Sequence, residues 1–202
     1  MANPEIFDNP LIIVDGCDYS GKSTLCKEIA KLVGGVVLRP IPKELSAIRA
    51  IVDRKFSYTD RYHFYIAASF YTYNKIKGVL IKQTPVILDR WMFSTNKHHE
   101  LLGVPKEELL LEDMIPKSHF MFFTTTSPEI FTIRKLVRNE VGIDDQYITP
   151  SFMEEINRFL KQEGLIEINT DLLNPDEEAN LVIRTLKRNP DLFKNGSLLS
   201  NF

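Results

Sequence analysis

The chain has 202 residues, 44% of them hydrophobic and 26% charged, and its formal net charge is −2. These values predict one globular domain spanning residues 1–202. The small net charge argues against binding a nucleic acid polymer or an anionic membrane, and no apolar run approaches the roughly 20 residues that cross a bilayer. The acidic N-terminus does not resemble a signal peptide, and Cys17 and Cys26 do not imply a disulfide framework, so we expect a reduced, cytoplasmic protein.

Short apolar runs alternate with segments of helical period along the chain, which is typical of parallel strands joined by helices. The predicted strands are Leu11–Asp15, 36–38, 85–88, 120–123 and 165–168. The predicted helices cover 23–32, 44–54, a third to about residue 82 that Thr59 or Asp60 would cap, 128–139, 150–162 and 175–187. This order predicts an α/β fold, a three-layer sandwich with a five-stranded parallel sheet flanked by helices. The polar tail, 189–202, is expected to be disordered.

A phosphate-binding motif follows the first predicted strand. Residues 16–23 read GCDYSGKS and match G-x-x-x-x-G-K-[ST], between an apolar strand and the start of a helix. The glycines allow backbone N–H groups to surround a phosphate, Lys22 would reach the β and γ oxygens, and Ser23 would bind Mg²⁺. The alternative, a chance glycine-rich turn, is disfavoured by this context. The predicted ATP-binding residues are Gly16, Cys17, Asp18, Tyr19, Ser20, Gly21, Lys22, Ser23 and Thr24.

The motif alone does not separate a kinase from an NTPase switch, motor or pump. The chain is short, and neither an apolar strand ending in D-E nor a D-x-x-G loop occurs where one would be needed. A small P-loop protein without those parts is expected to be a metabolite kinase, with the five-stranded sheet forming a P-loop NTPase sandwich.

Three stretches carry a resemblance to one family. Residues 14–24 resemble the E/D-G-x-D-x-x-G-K-[ST]-T signature of thymidylate kinases, with Asp18 as the added carboxylate. Residues 88–94 are similar to the family's D-R-Y-x-x-S. Ser127-Pro128-Glu129, followed by Arg134 and Arg138, resembles the start of its lid. All three occur in the family's order, so the chain resembles P-loop nucleoside monophosphate kinases over about residues 11–187.

The resemblance implies ATP-dependent, Mg²⁺-dependent phosphoryl transfer to a small nucleotide, by a homodimer. Asp18 would face the acceptor's sugar and phosphate. Independently of the family, Arg90 is suited to a bidentate grip on an acceptor phosphate, and Asp89 to orienting a metal-bound water or the attacking oxygen. A lid at about 134–147 would bring two arginines on one helical face to the phosphates. The expected catalytic residues are Asp18, Lys22, Asp89, Arg90, Arg134 and Arg138, and the expected metal ligands are Ser23 and Asp89.

The acceptor side departs from the family pattern. Phe64 aligns with the family's base-stacking phenylalanine, but Ala68 stands where an arginine is usual. His98 and His99 replace part of another family motif, and we interpret them as adjacent surface histidines without a role. The predicted substrate-binding residues are Asp18, Arg39, Lys43, Arg49, Phe64 and Arg90, with Lys43 or Arg49 holding the acceptor's phosphate.

Three functions are therefore open at this point. The first is a kinase acting on a (deoxy)nucleoside monophosphate, favoured by the Asp15-Gly16-x-Asp18 pattern. The second is a deoxynucleoside kinase, favoured by the loss of an arginine at position 68. The third is a non-catalytic nucleotide-binding regulator, disfavoured because the expected catalytic residues are retained.

Overall fold

The computed structural model describes residues 5–138 and 144–194. In this part of the chain, five parallel strands form one sheet in the order β2-β3-β1-β4-β5. The strands are β1 (Leu11–Asp15), β2 (Val36–Leu38), β3 (Val86–Asp89), β4 (Phe120–Thr125) and β5 (Ile166–Asn169). Central β1 is buried along its whole length, which explains its continuous apolar sequence.

Helices cover both faces of the sheet. They are α1 (Lys22–Val33), α2 (Ser46–Lys55), α3 (Tyr58–Lys75), α4 (Ile81–Gln83), α5 (Met92–Leu101), α6 (Pro128–Val137), α7 (Pro150–Gln162) and α8 (Pro175–Arg188). Side chains alternate along β1, so Leu11 and Ile13 join one apolar cluster while Ile12 and Val14 join the other. The predicted three-layer α/β sandwich is confirmed. No helix of the described residues is long and apolar enough to span a bilayer.

The sheet order positions the site. Because β3 and β4 flank β1 in parallel register, with Val14 opposite Asp89, the loops that follow β1 and β3 leave the same edge side by side. This is the point at which the strand order reverses, where open α/β sheets bind their ligands. The loop after β1 contains the phosphate-binding motif, and the turn after β3 contains Arg90.

Two predicted helix features are wrong. The cap of α3 is Ser57, whose Oγ accepts a hydrogen bond from Asp60 N at 3.2 Å, and not Thr59 or Asp60 themselves. The Asp60 carboxylate in turn accepts a hydrogen bond from Ser57 Oγ at 2.6 Å. Helix α5 is absent from the predicted elements, because it has no apolar period: the polar side chains of Ser94, Thr95, Asn96, His98 and His99 are buried.

The start of the tail is ordered. Residues 190–192 form a short 3₁₀ turn, and Phe193 is buried against Phe120 with ring centroids 5.8 Å apart. Lys194 N donates a hydrogen bond to Phe7 O at 2.9 Å. The expectation of disorder is therefore wrong for residues 189–194. The rest of the predicted tail, 195–202, lies outside the described residues. Residues 139–143 of the expected lid also lie outside them.

Candidate functional site

The loop after β1 is shaped to enclose an anion. Gly16 has φ +132°, and a Cβ there would lie 3.0 Å from both the carbonyl oxygen and the hydroxyl of Thr124. Ser20 Oγ lies 2.6 Å from Thr124 Oγ1 and donates to Cys17 O at 2.7 Å, which holds the loop against β4. Gly21, with φ +92°, precedes the first turn of α1, so free N–H groups and the positive helix end converge here. Such a loop geometry at a helix N-terminus is suited to binding a phosphate group.

Basic and acidic side chains from the two loops meet above this cradle. Lys22 is buried, and its Nζ donates to Cys17 O. Ser23 Oγ donates to Asp89 Oδ2 at 2.7 Å, joining α1 to the end of β3. Arg90, which has φ +84°, forms an ion pair through Nη2 with Asp18 Oδ1. The structure thus brings together the two motifs that the sequence separates by about 70 residues.

Burial and the charges of neighbouring side chains set the charge states of Asp18, Lys22 and Arg90. Burial would raise the pKa of Asp18, but the positive charges of Arg90 and Lys22 outweigh it and hold that pKa well below its usual range. Burial lowers the pKa of Lys22, and the nearby Arg90 guanidinium lowers it further. Burial opposes the charged form of Arg90, yet Asp18 and Asp15 raise its pKa above the ordinary value. The Asp18–Arg90 pair is therefore ionised at neutral pH.

Asp15 holds the two loops in register. This carboxylate is fully buried and accepts hydrogen bonds from Trp91 N at 3.2 Å, from Ser94 N at 3.0 Å and from Ser94 Oγ. Burial raises the pKa of Asp15, although its hydrogen bonds to Ser94 oppose that change. Its role is to position the turn that carries Arg90.

These side chains line a cavity of about 700 Å³. Its charged lining residues are Asp18, Lys22, Arg39, Arg49, Asp89, Arg90, Arg134, Arg138 and Glu178. Six of these nine are basic, so the cavity has a surplus of positive charge. Tyr19, Gly21, Ser23 and Thr24 also line it, whereas Gly16, Cys17 and Ser20 are buried beneath the loop. Most of the sequence-predicted site residues therefore meet around one space.

The two arginines of the expected lid occupy different positions. Arg134 donates to Thr170 Oγ1 at 2.8 Å and to Thr170 O at 3.0 Å, which ties α6 to the loop after β5. Arg138 lies over the ring of Tyr19 at 5.4 Å from its centroid. Both line the cavity. Of these two arginines, Arg134 is the one whose side chain donates hydrogen bonds to Thr170.

A second cavity of about 410 Å³ adjoins the first. The two share Asp18, Arg49, Tyr65, Arg90 and Thr95 as lining residues. The second is further lined by Ala50, Asp53, Arg54, Arg61, His98, His99, Asp144, Asp145 and Ile148. It lies on the Arg90 side of the phosphate loop.

Two of the predicted substrate-binding residues lie elsewhere. Lys43 is exposed in a 3₁₀ turn, and neither Lys43 nor Phe64 is among the described residues that line these two cavities. Tyr65, the next residue of α3, lines both. Arg39 and Arg49 do line the larger cavity, with Arg39 Nε 3.5 Å from Asp89 Oδ2.

The interpretation of His98 and His99 as surface residues is wrong. They are 7% and 3% exposed, because α5 packs against α3 and α7. His99 Nδ1 lies 2.9 Å from Thr95 O, so Nδ1 carries the proton of the neutral ring and Nε2 is an acceptor. Nε2 is buried and has no hydrogen-bond partner in the described part of the chain. In the sequence, the signal for this buried polar region between α3 and α5 is the helical spacing of Tyr62, Tyr65 and Ser69.

The fold is shared with known nucleotide kinases. A thymidylate kinase from Candida albicans superposes with a TM-score of 0.70 at 16% identity, over 93% of this chain and 95% of that one. A deoxyadenosine kinase from M. mycoides gives 0.63 at 18% identity, over 88% and 98%. A thymidylate kinase from Ehrlichia chaffeensis gives 0.58 at 16% identity, over 89% and 98%.

This chain has the fold of P-loop nucleoside monophosphate kinases and deoxynucleoside kinases. No protein-family model and no curated protein sequence matches it.

The buried His99 predicts a pH dependence of stability. Burial, reinforced by the charge of His98, lowers the pKa of His99 from 6.5 to about 3. Between these two pKa values, the unfolded chain binds a proton at His99 that the folded chain does not bind. As the pH falls below the unfolded pKa of 6.5, His99 therefore lowers the free energy of unfolding by about 1.4 kcal/mol per pH unit. Urea unfolding at several pH values between about 5 and 7 should show a smaller slope for His99→Gln than for the original chain. Equal slopes in His99→Gln and the original chain would contradict the assignment.

Proposed function

We propose that this protein is a kinase that transfers the γ-phosphate of ATP to a (deoxy)nucleoside monophosphate, with Mg²⁺. The observation that supports this most is the surplus of basic side chains around the larger cavity, which the phosphate loop also lines. Lys22 belongs to that loop, Arg39 lines only the larger cavity, and Arg49 and Arg90 line both cavities. Two phosphorylated substrates carry more negative charge than one magnesium ion neutralises, and these cations offset it.

Each predicted catalytic group has a chemical role in this proposal. Lys22, which donates to Cys17 O, is placed to exchange that acceptor for β and γ oxygens. Arg90 would bind the acceptor's phosphate with the donors that Asp18 leaves free. Arg138 would leave the Tyr19 ring to bind the transferring group, while Arg134 holds the loop beside the donor nucleotide. The acceptor's phosphate oxygen attacks the γ-phosphorus, the bond to the β-bridging oxygen breaks, and ADP leaves.

Ser23 and Asp89 would hold the metal. They are already hydrogen bonded, and both carry oxygen atoms, the ligand type that Mg²⁺ prefers. Among residues 5–138 and 144–194, no three His, Cys, Asp or Glu side chains form a metal cage. Phosphate oxygens and water would therefore complete the coordination. When bound, the ion neutralises charge on the β and γ oxygens.

A monophosphate acceptor suits the carboxylates of the site better than a nucleoside does. A phosphate oxygen is already deprotonated near neutral pH, whereas a sugar hydroxyl must give its proton to a base. The carboxylates that line the larger cavity are Asp18, Asp89 and Glu178. Asp18 is paired with Arg90, and Asp89 is held by Ser23 and Arg39. The second candidate, a deoxynucleoside kinase, is supported by the fold shared with the M. mycoides deoxyadenosine kinase.

ADP release measured across a panel of deoxynucleosides and their monophosphates tests the proposal. We expect acceptor-dependent turnover with at least one monophosphate, and a loss of about 10²–10³-fold in kcat/KM for Lys22→Ala, because the variant lacks a buried cation at the transferring phosphates. Lys31→Ala removes an exposed lysine of the same helix and should retain full activity. Turnover with nucleosides alone would favour the second candidate. Background hydrolysis alone would favour a non-catalytic nucleotide-binding protein.

The lining of the second cavity predicts which aromatic residue contacts the base. Tyr65 faces both cavities and Phe64 faces neither, although they are neighbours in α3. A base–aromatic stack contributes about 1–3 kcal/mol, so Tyr65→Ala should raise the KM for the acceptor by about 10-fold or more. Phe64→Ala is the matched control and should leave that KM within about 2-fold. The reverse order in steady-state kinetics would restore Phe64 as the stacking residue.

We propose in addition that the chain forms a cytoplasmic homodimer through α2 and α3. Exposed apolar side chains along these helices support a protein interface: Ile48, Ile51, Phe56 and Tyr71. Sedimentation equilibrium at micromolar concentration should give twice the chain mass of 23.3 kDa. A monomer mass throughout would contradict the dimer without affecting the proposed chemistry.

A further inference from the structure

Two adjacent buried carboxylates connect the halves of the site. Asp145 Oδ2 accepts a hydrogen bond from Tyr19 OH at 2.6 Å. Asp144 accepts two from Arg61, one of them from Nη1 at 3.0 Å. Tyr19 belongs to the phosphate loop and Arg61 to α3, one turn before Tyr65. One short segment therefore contacts both the expected ATP loop and the expected acceptor helix.

Tyr19 is held from several sides at its position in the loop. Its backbone has φ +66°, a conformation that tyrosine rarely adopts without external support. The edge of its ring meets Phe131 at 5.5 Å, and Arg138 lies over its face at 5.4 Å. The hydroxyl contact to Asp145 thus helps to fix the loop in the shape that cradles phosphate.

The segment that carries the two carboxylates is itself anchored. Lys135 Nζ donates to Asp145 O at 2.5 Å and to Ile148 O at 2.6 Å, while Tyr147 N donates to Asp144 O at 2.8 Å. Asp144 and Asp145 are each less than a tenth exposed. Through Asp144, Asp145 and this hydrogen-bonded turn, a continuous chain of contacts joins Tyr19 to Arg61.

We propose that Asp145, together with Asp144, positions the phosphate loop against α3 so that donor and acceptor remain aligned during transfer. This inference rests on the proposed function. Phosphoryl transfer requires the reacting atoms to lie about 3–3.5 Å apart and in line, and a misplacement of about 1 Å can cost on the order of 10²-fold in rate. Asp145 acts through Tyr19 and is a positioning residue, since it transfers no proton in this scheme.

Steady-state kinetics with the monophosphate that gives the fastest ADP release tests this role. Asp145→Ala should lower kcat by about 10- to 100-fold while the KM for ATP stays within about 2-fold. Asp145→Asn keeps an oxygen that accepts the Tyr19 hydroxyl, so it should restore most of the rate. Tyr19→Phe removes only that hydroxyl and should lower kcat as Asp145→Ala does. Asp113→Ala makes the same substitution at an exposed site and should change nothing.

An unchanged kcat in Asp145→Ala and Tyr19→Phe would overturn the proposal. A rise confined to the KM for the acceptor would also overturn it, because Asp145 would then be a direct acceptor ligand. Should Asp145→Ala fail to fold, Tyr19→Phe and Asp145→Asn still decide between these results.

Hydrogen exchange with a non-hydrolysable ATP analogue and Mg²⁺ separates this inference from the proposed function, because it needs no acceptor. Binding of the analogue should slow amide exchange in residues 58–65 of the original chain, and this effect should be lost in Asp145→Ala. The same slowing in both chains would overturn the positioning role even where transfer is observed. An original chain that shows the slowing but never transfers phosphate would contradict the proposed function alone.

Discussion

The site depends on a carboxylate that water does not reach. Asp15 ends the central strand and accepts hydrogen bonds from Trp91 N, Ser94 N and Ser94 Oγ, in the turn that follows the neighbouring strand. A buried carboxylate without such donors would be strongly unfavourable, so its burial enforces one arrangement of the two loops. Arg90, which directly precedes Trp91 in this turn, has a left-handed backbone with φ +84° and pairs with Asp18 of the phosphate loop. Substitutions at Asp15 would thus disturb the arrangement of the two loops without removing a residue that lines either cavity.

The charged groups of the site satisfy one another. Lys22 donates to Cys17 O, Arg90 pairs with Asp18, and Asp89 accepts from Ser23. These contacts limit the cost of holding charges in a partly closed cavity. Under the proposed function, phosphate binding would exchange some of them for stronger ionic contacts and leave the scaffold in place. The surplus of basic side chains that line the larger cavity would then supply the remaining attraction for two anions.

The phosphate-loop half of the site could be predicted from the sequence, because its information is local. Apolar runs defined the five strands to within two residues at each end, and Gly16 to Ser23 form one contiguous loop. The lining of the second cavity depends on contacts that sequence spacing does not reveal. Phe64 and Tyr65 are adjacent, but consecutive helix positions differ by about 100° in direction, and of these two residues Tyr65 lines the cavity.

Long-range packing explains the other failures. His98 and His99 looked like surface residues because α5 has no apolar period, but contacts with α3 and α7 bury them. Arg61 and Asp144 are separated by 83 residues, and nothing in their local sequences indicates that they pair. Phe193 ends a polar stretch, but it forms a β-bridge with Phe7 and packs against Phe120 in one of the two apolar clusters. In each case, tertiary contacts give a residue an environment that differs from the one its sequence neighbours predict.

Trp91 is the only tryptophan of the chain and directly follows Arg90. Its indole is fully buried and donates from Nε1 to Pro116 O at 2.8 Å. The protein therefore contains a single indole fluorophore, in the turn that carries Arg90, and excitation selective for tryptophan would report on that site alone. Its spectrum reports the local environment of that turn in solution, free of any attached label.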